Sequence, residues 1–255
     1  MSQTMKASTL KTWIYFILRL SVVGVGVRQF FLGNYSGVFM CVLTLFLFLI
    51  PAFVNQRFRI VLPNTLEVII LLFIYAAEIL GEVNCYYLTV PHWDTILHTL
   101  NGFIMAGIGF ALIDILNQSD KVAISLSPVF VALVAFCFSM TTGVLWEFFE
   151  FGMDQVFHTD MQKDTIIPAI HSVMFHPEGA NVAVTLPIEE IIINGETWDY
   201  GGYLDIGLID TMKDLIVNFV GAVVFSVLGL LYLSGRSKLA GRFIPRSAPK
   251  EDSGS

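Results

Sequence analysis

The chain has 255 residues, 21 Asp and Glu against 14 Lys and Arg, a net charge of −7, and 55% of its residues in the hydrophobic set. With glycine counted and tyrosine left out the apolar share is about 60%, where a soluble domain has about 45–50%, and the mean hydropathy is +0.73. This composition excludes a disordered chain, the acidic balance leaves no basic footprint for nucleic acid, and the three cysteines (Cys41, Cys85, Cys137) form neither a CxxC pair nor an even disulfide framework.

A hydrocarbon core about 30 Å thick takes about 20 apolar residues of helix. Six runs meet that need, at 12–33, 35–54, 64–83, 93–116, 126–157 and 209–233. The predicted fold is therefore an all-α polytopic membrane protein with six transmembrane helices and a small, partly β extracytoplasmic loop. Residues 1–157 carry helices one to five, 158–208 form the loop, 209–233 are helix six, and 234–255 are a disordered cytoplasmic tail. Arg19 and Arg28 interrupt the first run and no A-x-A pattern follows it, so it reads as a retained helix rather than a signal peptide.

Orientation comes from the basic residues. Lys6 and Lys11 precede the first span, Arg57 and Arg59 separate the second and third, Lys121 separates the fourth and fifth, and Arg236, Lys238, Arg242, Arg246 and Lys250 follow the sixth. The alternate loops 32–35 and 84–92 hold no Lys or Arg, so the positive-inside rule puts both termini in the cytoplasm of a cell with the chain in its cytoplasmic membrane. The 158–208 loop carries Asp160, Asp164, Glu178, Glu189, Glu190, Glu196, Asp199 and Asp205 against Lys163 alone. Its runs 182–186 and 190–198 read as short strands, with Asn194-Gly195 as a hairpin turn.

Ionisable groups inside a span cost about 2.5–3.5 kcal/mol each on insertion scales, so their placement is informative. In the fourth span Asp94, His98 and Asn101 recur at i, i+4 and i+7. In the fifth, Glu147, Glu150 and Asp154 recur at i, i+3 and i+7; in the sixth, Asp210, Asp214 and Asn218 recur at i, i+4 and i+8. Each set lies along one helix face. Counting at 1.5 Å per residue from the outer ends puts His98, Glu150 and Asp214 roughly 7–10 Å deep. The three faces are expected to meet in one outward-facing pocket. Asp94, Asp154 and Asp210, near span ends, also fit a role as solvated interfacial residues or caps.

Carboxylates crowded in one pocket raise one another's pKa unless positive charge is present. Bound protons, Arg28 and Lys213, or a divalent metal ion (Mg, Mn or Zn) held by His98, Glu147, Glu150 and Asp214 would each serve. Inward carboxylates and a histidine from several helices are how di-metal helix bundles are built, although the spacing there is Glu-x-x-His and here it is Asp-x-x-x-His. Gly24-Val-Gly26 lacks the third glycine of a dinucleotide fingerprint, and no nucleophile elbow, His-Glu-x-x-His or Walker loop occurs.

Trp93-Asp94-x-x-x-His98-x-x-x-Gly102, Trp146-Glu147-x-x-Glu150 and Asp210-Thr-Met-x-Asp214-x-x-x-Asn218-x-x-Gly221 resemble the bacterial YjdF-like integral membrane proteins and, more distantly, the VanZ-like family. The resemblance covers about 93–232. It implies a bacterial cytoplasmic membrane and, through the VanZ-like members' association with glycopeptide susceptibility, work at the cell envelope. Two readings of the pocket follow: a metal-dependent hydrolase or transferase acting on a lipid-linked phosphate, or a cation or proton-coupled transporter. A structural membrane protein whose polar faces only hold helices together is a third. The lipid bilayer is the partner common to all three.

Overall fold

The computed structural model describes residues 2–58, 60–117, 126–237, 241, 243, 244, 246 and 247, and the chain is mostly helical (69%) with a few short strand pairs. Arg59, Lys121, Lys238, Arg242 and Lys250, which contribute to the orientation argument, and 248–255 of the tail lie outside the described residues.

The helices follow the apolar runs because an uninterrupted helix satisfies every backbone donor and acceptor within itself. They are α1 (Ser2–Phe31), α2 (Tyr35–Leu47), α3 (Ile50–Phe58), α4 (Asn64–Tyr75), the short α5 (Tyr86–Thr89), α6 (Trp93–Asn117), α7 (Pro128–Phe157) and α8 (Leu208–Leu233). Asn34 caps α2 through a hydrogen bond from the Gly37 N–H to its side-chain oxygen, 3.0 Å. The break between α2 and α3 falls at Phe48–Leu49, where Pro51 has no N–H to offer the Leu47 carbonyl. Five stretches are long and apolar enough to cross a membrane: Leu10–Phe31, Tyr35–Arg57, Trp93–Ile113, Pro128–Phe157 and Leu208–Leu233. The expected third span, 64–83, is helical throughout but composite: α4 passes directly into a π-helix at Ala76–Val83, and the segment is not among the five.

Contacts group the chain into two units, 1–143 with 216–255, and 144–215. In the first, Leu18 and Val22 of α1, Cys41 of α2, Phe48, Leu71 and Ile74 of α4 and Ile79 form one apolar cluster. Polar ties run beside it: Lys11 Nζ pairs with Glu67 Oε2 at 2.8 Å, and the Ser21 and Tyr75 hydroxyls are 2.7 Å apart. Arg19 places its guanidinium over the Tyr15 ring, 5.0 Å from its centroid, so its charge is met on its own helix. A second cluster joins Ala106 and Phe110 of α6, Val131 and Ala135 of α7, and Ala222 and Phe225 of α8, with Ile244 from beyond α8. Large apolar side chains on the outside, among them Trp13, Phe16, Leu20 and Phe30, are what a lipid solvent accepts.

The first unit also holds a two-stranded antiparallel ladder, β1 (Ile60–Val61) with β8 (Arg246–Ser247). The second unit contains the loop as three antiparallel pairs: β2 (Ile166–Ile167) with β7 (Tyr203–Leu204), β3 (Ala169–Ser172) with β4 (Val184–Pro187), and β5 (Ile192–Ile193) with β6 (Glu196–Thr197). The two residues joining β5 and β6, Asn194 and Gly195, both have positive φ (54° and 87°), the geometry that makes Asn-Gly the favoured two-residue hairpin turn. Strands β2, β3 and β7 were not among the sequence expectations.

A candidate cation site at the amino end of α6

The site is built from a close helix pair. A Cβ at Gly102 of α6 would lie 2.9 Å from the Asn218 carbonyl carbon, and closer still to its oxygen; one at Gly221 of α8 would lie 2.8 Å from the Phe103 nitrogen and closer to the Thr99 carbonyl oxygen. Only glycine lets the two backbones approach this far, as in small-residue helix pairs of membranes. Asn218, 1% exposed, fills the gap. It accepts from Asn101 Nδ2 at 3.3 Å and donates to the Ser139 carbonyl at 3.4 Å. Gly143 of α7 makes room for it, since a Cβ there would stand 2.7 Å from Asn218 Nδ2. Ser139 closes the set by donating from Oγ to the Gly102 carbonyl at 2.8 Å. Ser139 and Gly143 do not stand out by ionisable periodicity; a serine and a glycine one helical turn apart within the apolar fifth run are the available signal.

One turn toward the amino end of α6 stands His98, 8% exposed, with its Nε2 at 3.5 Å from Asp94 Oδ1. Helix α8 is unbroken from Leu208 to Leu233, so Asp214, 3% exposed, is fixed one turn from Asn218. Asp94, His98 and Asp214 each offer a ligand atom, and these atoms lie within 4.8 Å of one another. Trp93 secures the first turn of α6, where Asp94 sits: its indole N–H donates to the Ala76 carbonyl of the π-helix at 3.3 Å, and its ring packs edge-on to Tyr86. A π-helix carries longer i→i+5 bonds and often marks a functional position.

The remaining expected site residues fall into two groups. Glu147 and Glu150 are buried on α7, 4% and 8% exposed, and Glu150 Oε1 accepts the Trp146 indole N–H at 2.8 Å. Asp154 and Asp210 hold backbone of the loop. Asp154 accepts from Thr159 Oγ1 at 2.7 Å and from the N–H groups of Met161 and Gln162 at 2.7 and 2.9 Å, while Asp210 accepts from the Lys163 N–H at 2.7 Å. Gln162 ties the same stretch to Thr211 at 2.6 Å. Asp205, read at first only as loop charge, is buried and takes the N–H groups of Thr165 and Ile209 at 2.8 Å and of Gly207 at 3.3 Å. Burial alone would raise its pKa, but these backbone donors hold it below the usual carboxylate range. Arg28 and Lys213 are both exposed.

Fold and site together define a helical membrane protein with an acidic and histidine cluster on two closely packed helices. The chain belongs to the family described as predicted membrane protein (DUF2238), which matches residues 10–235. Neither a curated protein nor a solved structure matches it.

Proposed function

We propose that this chain is an integral membrane protein of the bacterial cell envelope whose intramembrane pocket binds a divalent cation through Asp94, His98 and Asp214. The observation that carries the reading is the convergence of three ligand atoms within 4.8 Å. Two ligands bound to one ion at about 2.0–2.4 Å stand no more than about 4.8 Å apart. A bound cation would also offset the cost of taking a carboxylate as buried as Asp214 out of water. Two carboxylates and an imidazole suit Mn²⁺ or Zn²⁺, whereas Mg²⁺ would rely on the oxygens.

An ion at this position would polarise a phosphoryl oxygen or lower the pKa of a bound water, which fits a hydrolase or transferase acting on a lipid-linked phosphate. Arg28 and Lys213 would then meet the substrate's charge from exposed positions. The YjdF-like and more distant VanZ-like resemblance supports a cytoplasmic membrane location. Counting 64–83 as a span gives six crossings, with both termini in the cytoplasm. A cation or proton carrier would need a polar route past Asn101. Below that level the described helices present Ala106, Phe110, Ala135 and Phe225 to one another, which favours chemistry at one membrane face.

Metal analysis of the detergent-purified full chain, loaded with Mn²⁺ or Zn²⁺ and dialysed, tests the reading. Wild type should retain about one ion per chain and His98→Ala and Asp214→Ala should lose it. No retained ion in wild type, or equal retention in both variants, rejects the site. Turnover of lipid phosphates against cation flux in proteoliposomes then separates enzyme from carrier, and neither activity in a metal-loaded protein leaves a structural ion.

A further inference from the structure

Beyond α8 the chain does something its composition hides. Segment 234–255 is basic and ends in a polar run, the pattern of a loose anchor at the membrane surface. Yet Ile244 is 2% exposed and belongs to the apolar cluster of Ala106, Phe110, Ile113, Val131, Ala135, Ala222 and Phe225. Phe243 beside it packs edge-on against Phe103, ring centroids 5.7 Å apart, and Phe103 in turn meets Phe225 at 5.0 Å. The turn-back begins at Gly235 (φ 69°), where the N–H groups of Gly235 and Arg236 bond to the carbonyls of Tyr232 and Leu231 and close α8 sharply. Two residues past Ile244, Arg246–Ser247 pair with Ile60–Val61, so the backbone finds partners on the connection between α3 and α4.

These contacts have a direction. The buried cluster that Ile244 joins lies in the carboxyl half of α6, the first turns of α7 and the carboxyl half of α8, while Phe243 reaches Phe103, nearer the middle of α6. Non-helical backbone at membrane depth is tolerated only where protein buries it and its hydrogen bonds are met. The Phe243 and Ile244 side chains are packed on protein, and Arg246–Ser247 have ladder partners.

We infer that Phe243 and Ile244 form a re-entrant stopper, with Ile244 closing the α6–α7–α8 group at the carboxyl half of α6, Phe243 lying against Phe103, and the β1–β8 ladder as its latch. The stopper stands independently of any metal. Its consequence, that the cation pocket opens to one side only, rests on the proposed function above.

The test uses the full chain in membrane vesicles, with Cys41, Cys85 and Cys137 replaced by alanine. Ile244→Cys should react with a water-soluble maleimide about tenfold or more slowly than the exposed Arg236→Cys, and detergent denaturation should equalise the two rates. Independently, Val61→Cys with Arg246→Cys should cross-link on mild oxidation, because antiparallel partners about 4.5–5.5 Å apart fall in the disulfide range. Equal labelling of the two single cysteines, or no cross-link in a chain that stays monodisperse, overturns the stopper. Either result leaves the metal analysis untouched, so the two readings fail separately.

Discussion

Gly102→Ala puts one methyl group between two backbones. The new Cβ would meet the Asn218 carbonyl carbon at 2.9 Å and its Cα at 3.0 Å, where ordinary contact begins at 3.4 Å. The obstruction is main chain on a packed helix, so no side chain can swing aside, and α6 and α8 must part by at least about 0.5 Å. A gap of that size forfeits about a quarter of the dispersion attraction along the seam. Overpacking of this kind costs about 1–3 kcal/mol, against which alanine returns up to about 1 kcal/mol of helix propensity over glycine. The expected net loss is about 1–2 kcal/mol, or roughly 2–8 °C in Tm for a chain of this size. Gly24→Ala is the matched control: nothing lies within 4 Å of its Cβ position, so only the propensity gain applies and stability should hold or rise. Thermal unfolding in detergent, followed by the loss of the monodisperse peak after heating, reads both. A Gly102→Ala protein as stable as Gly24→Ala would mean that α6 and α8 do not approach through Gly102, and the register that sets His98 beside Asp214 would lose its basis.

Asp205→Ala removes the acceptor of three backbone donors at the entrance to α8 and should cost about 1–2 kcal/mol of local stability, seen as faster amide exchange at Thr165 and Ile209. Exchange unchanged at both amides would show that they are held by other means. Asp205 is depressed by those donors, so its contribution is present above the ordinary aspartate value of about 3.9 and disappears as pH falls through its lower folded value. Asp164 is shifted the other way, first by burial and then by Asp160, Asp205 and Asp154, so its contribution is full below the ordinary value and lost as pH rises through the raised one. Trp198 fluorescence across an acid titration should therefore report loop opening on the acid side in wild type, and a shifted profile in Asp164→Asn; identical profiles would contradict the assignment. Gly195→Val places a β-branched residue at φ 87° and should destabilise the β5–β6 hairpin by about 1–2 kcal/mol, measurable as increased proteolysis between Ile192 and Thr197. Cleavage at the wild-type rate would argue against the turn.

Helix periodicity picked out polar residues that the structure buries. The i, i+4 and i, i+3 spacing of His98, Glu147, Glu150, Asp214 and Asn218 put each on a polar edge of an apolar helix, and all five are buried. That works because a helix face is a local property, set by residues within two turns. The Asn-Gly hairpin was legible for the same reason, since two adjacent residues needing positive φ specify the turn without help from elsewhere.

The rest depended on distant chain. By spacing alone Asp154 and Asp210 were indistinguishable from their buried neighbours one turn away. Their roles were decided by N–H groups of Met161, Gln162 and Lys163, which reach them only when the loop folds back. Asp205 looked like one more surface charge until Thr165, forty positions earlier, turned out to be its partner. The β2–β7 pairing and the burial of Ile244 have the same origin, two segments remote in sequence brought together by packing. Sequence by itself determined which residues are too polar for the lipid and which helix edge they share, because hydropathy and a 3.6-residue repeat act locally. Only the tertiary structure decided which of those edges touch and which carboxylates answer to backbone, because a hydrogen bond or a close glycine contact is fixed by where the second partner lies in space.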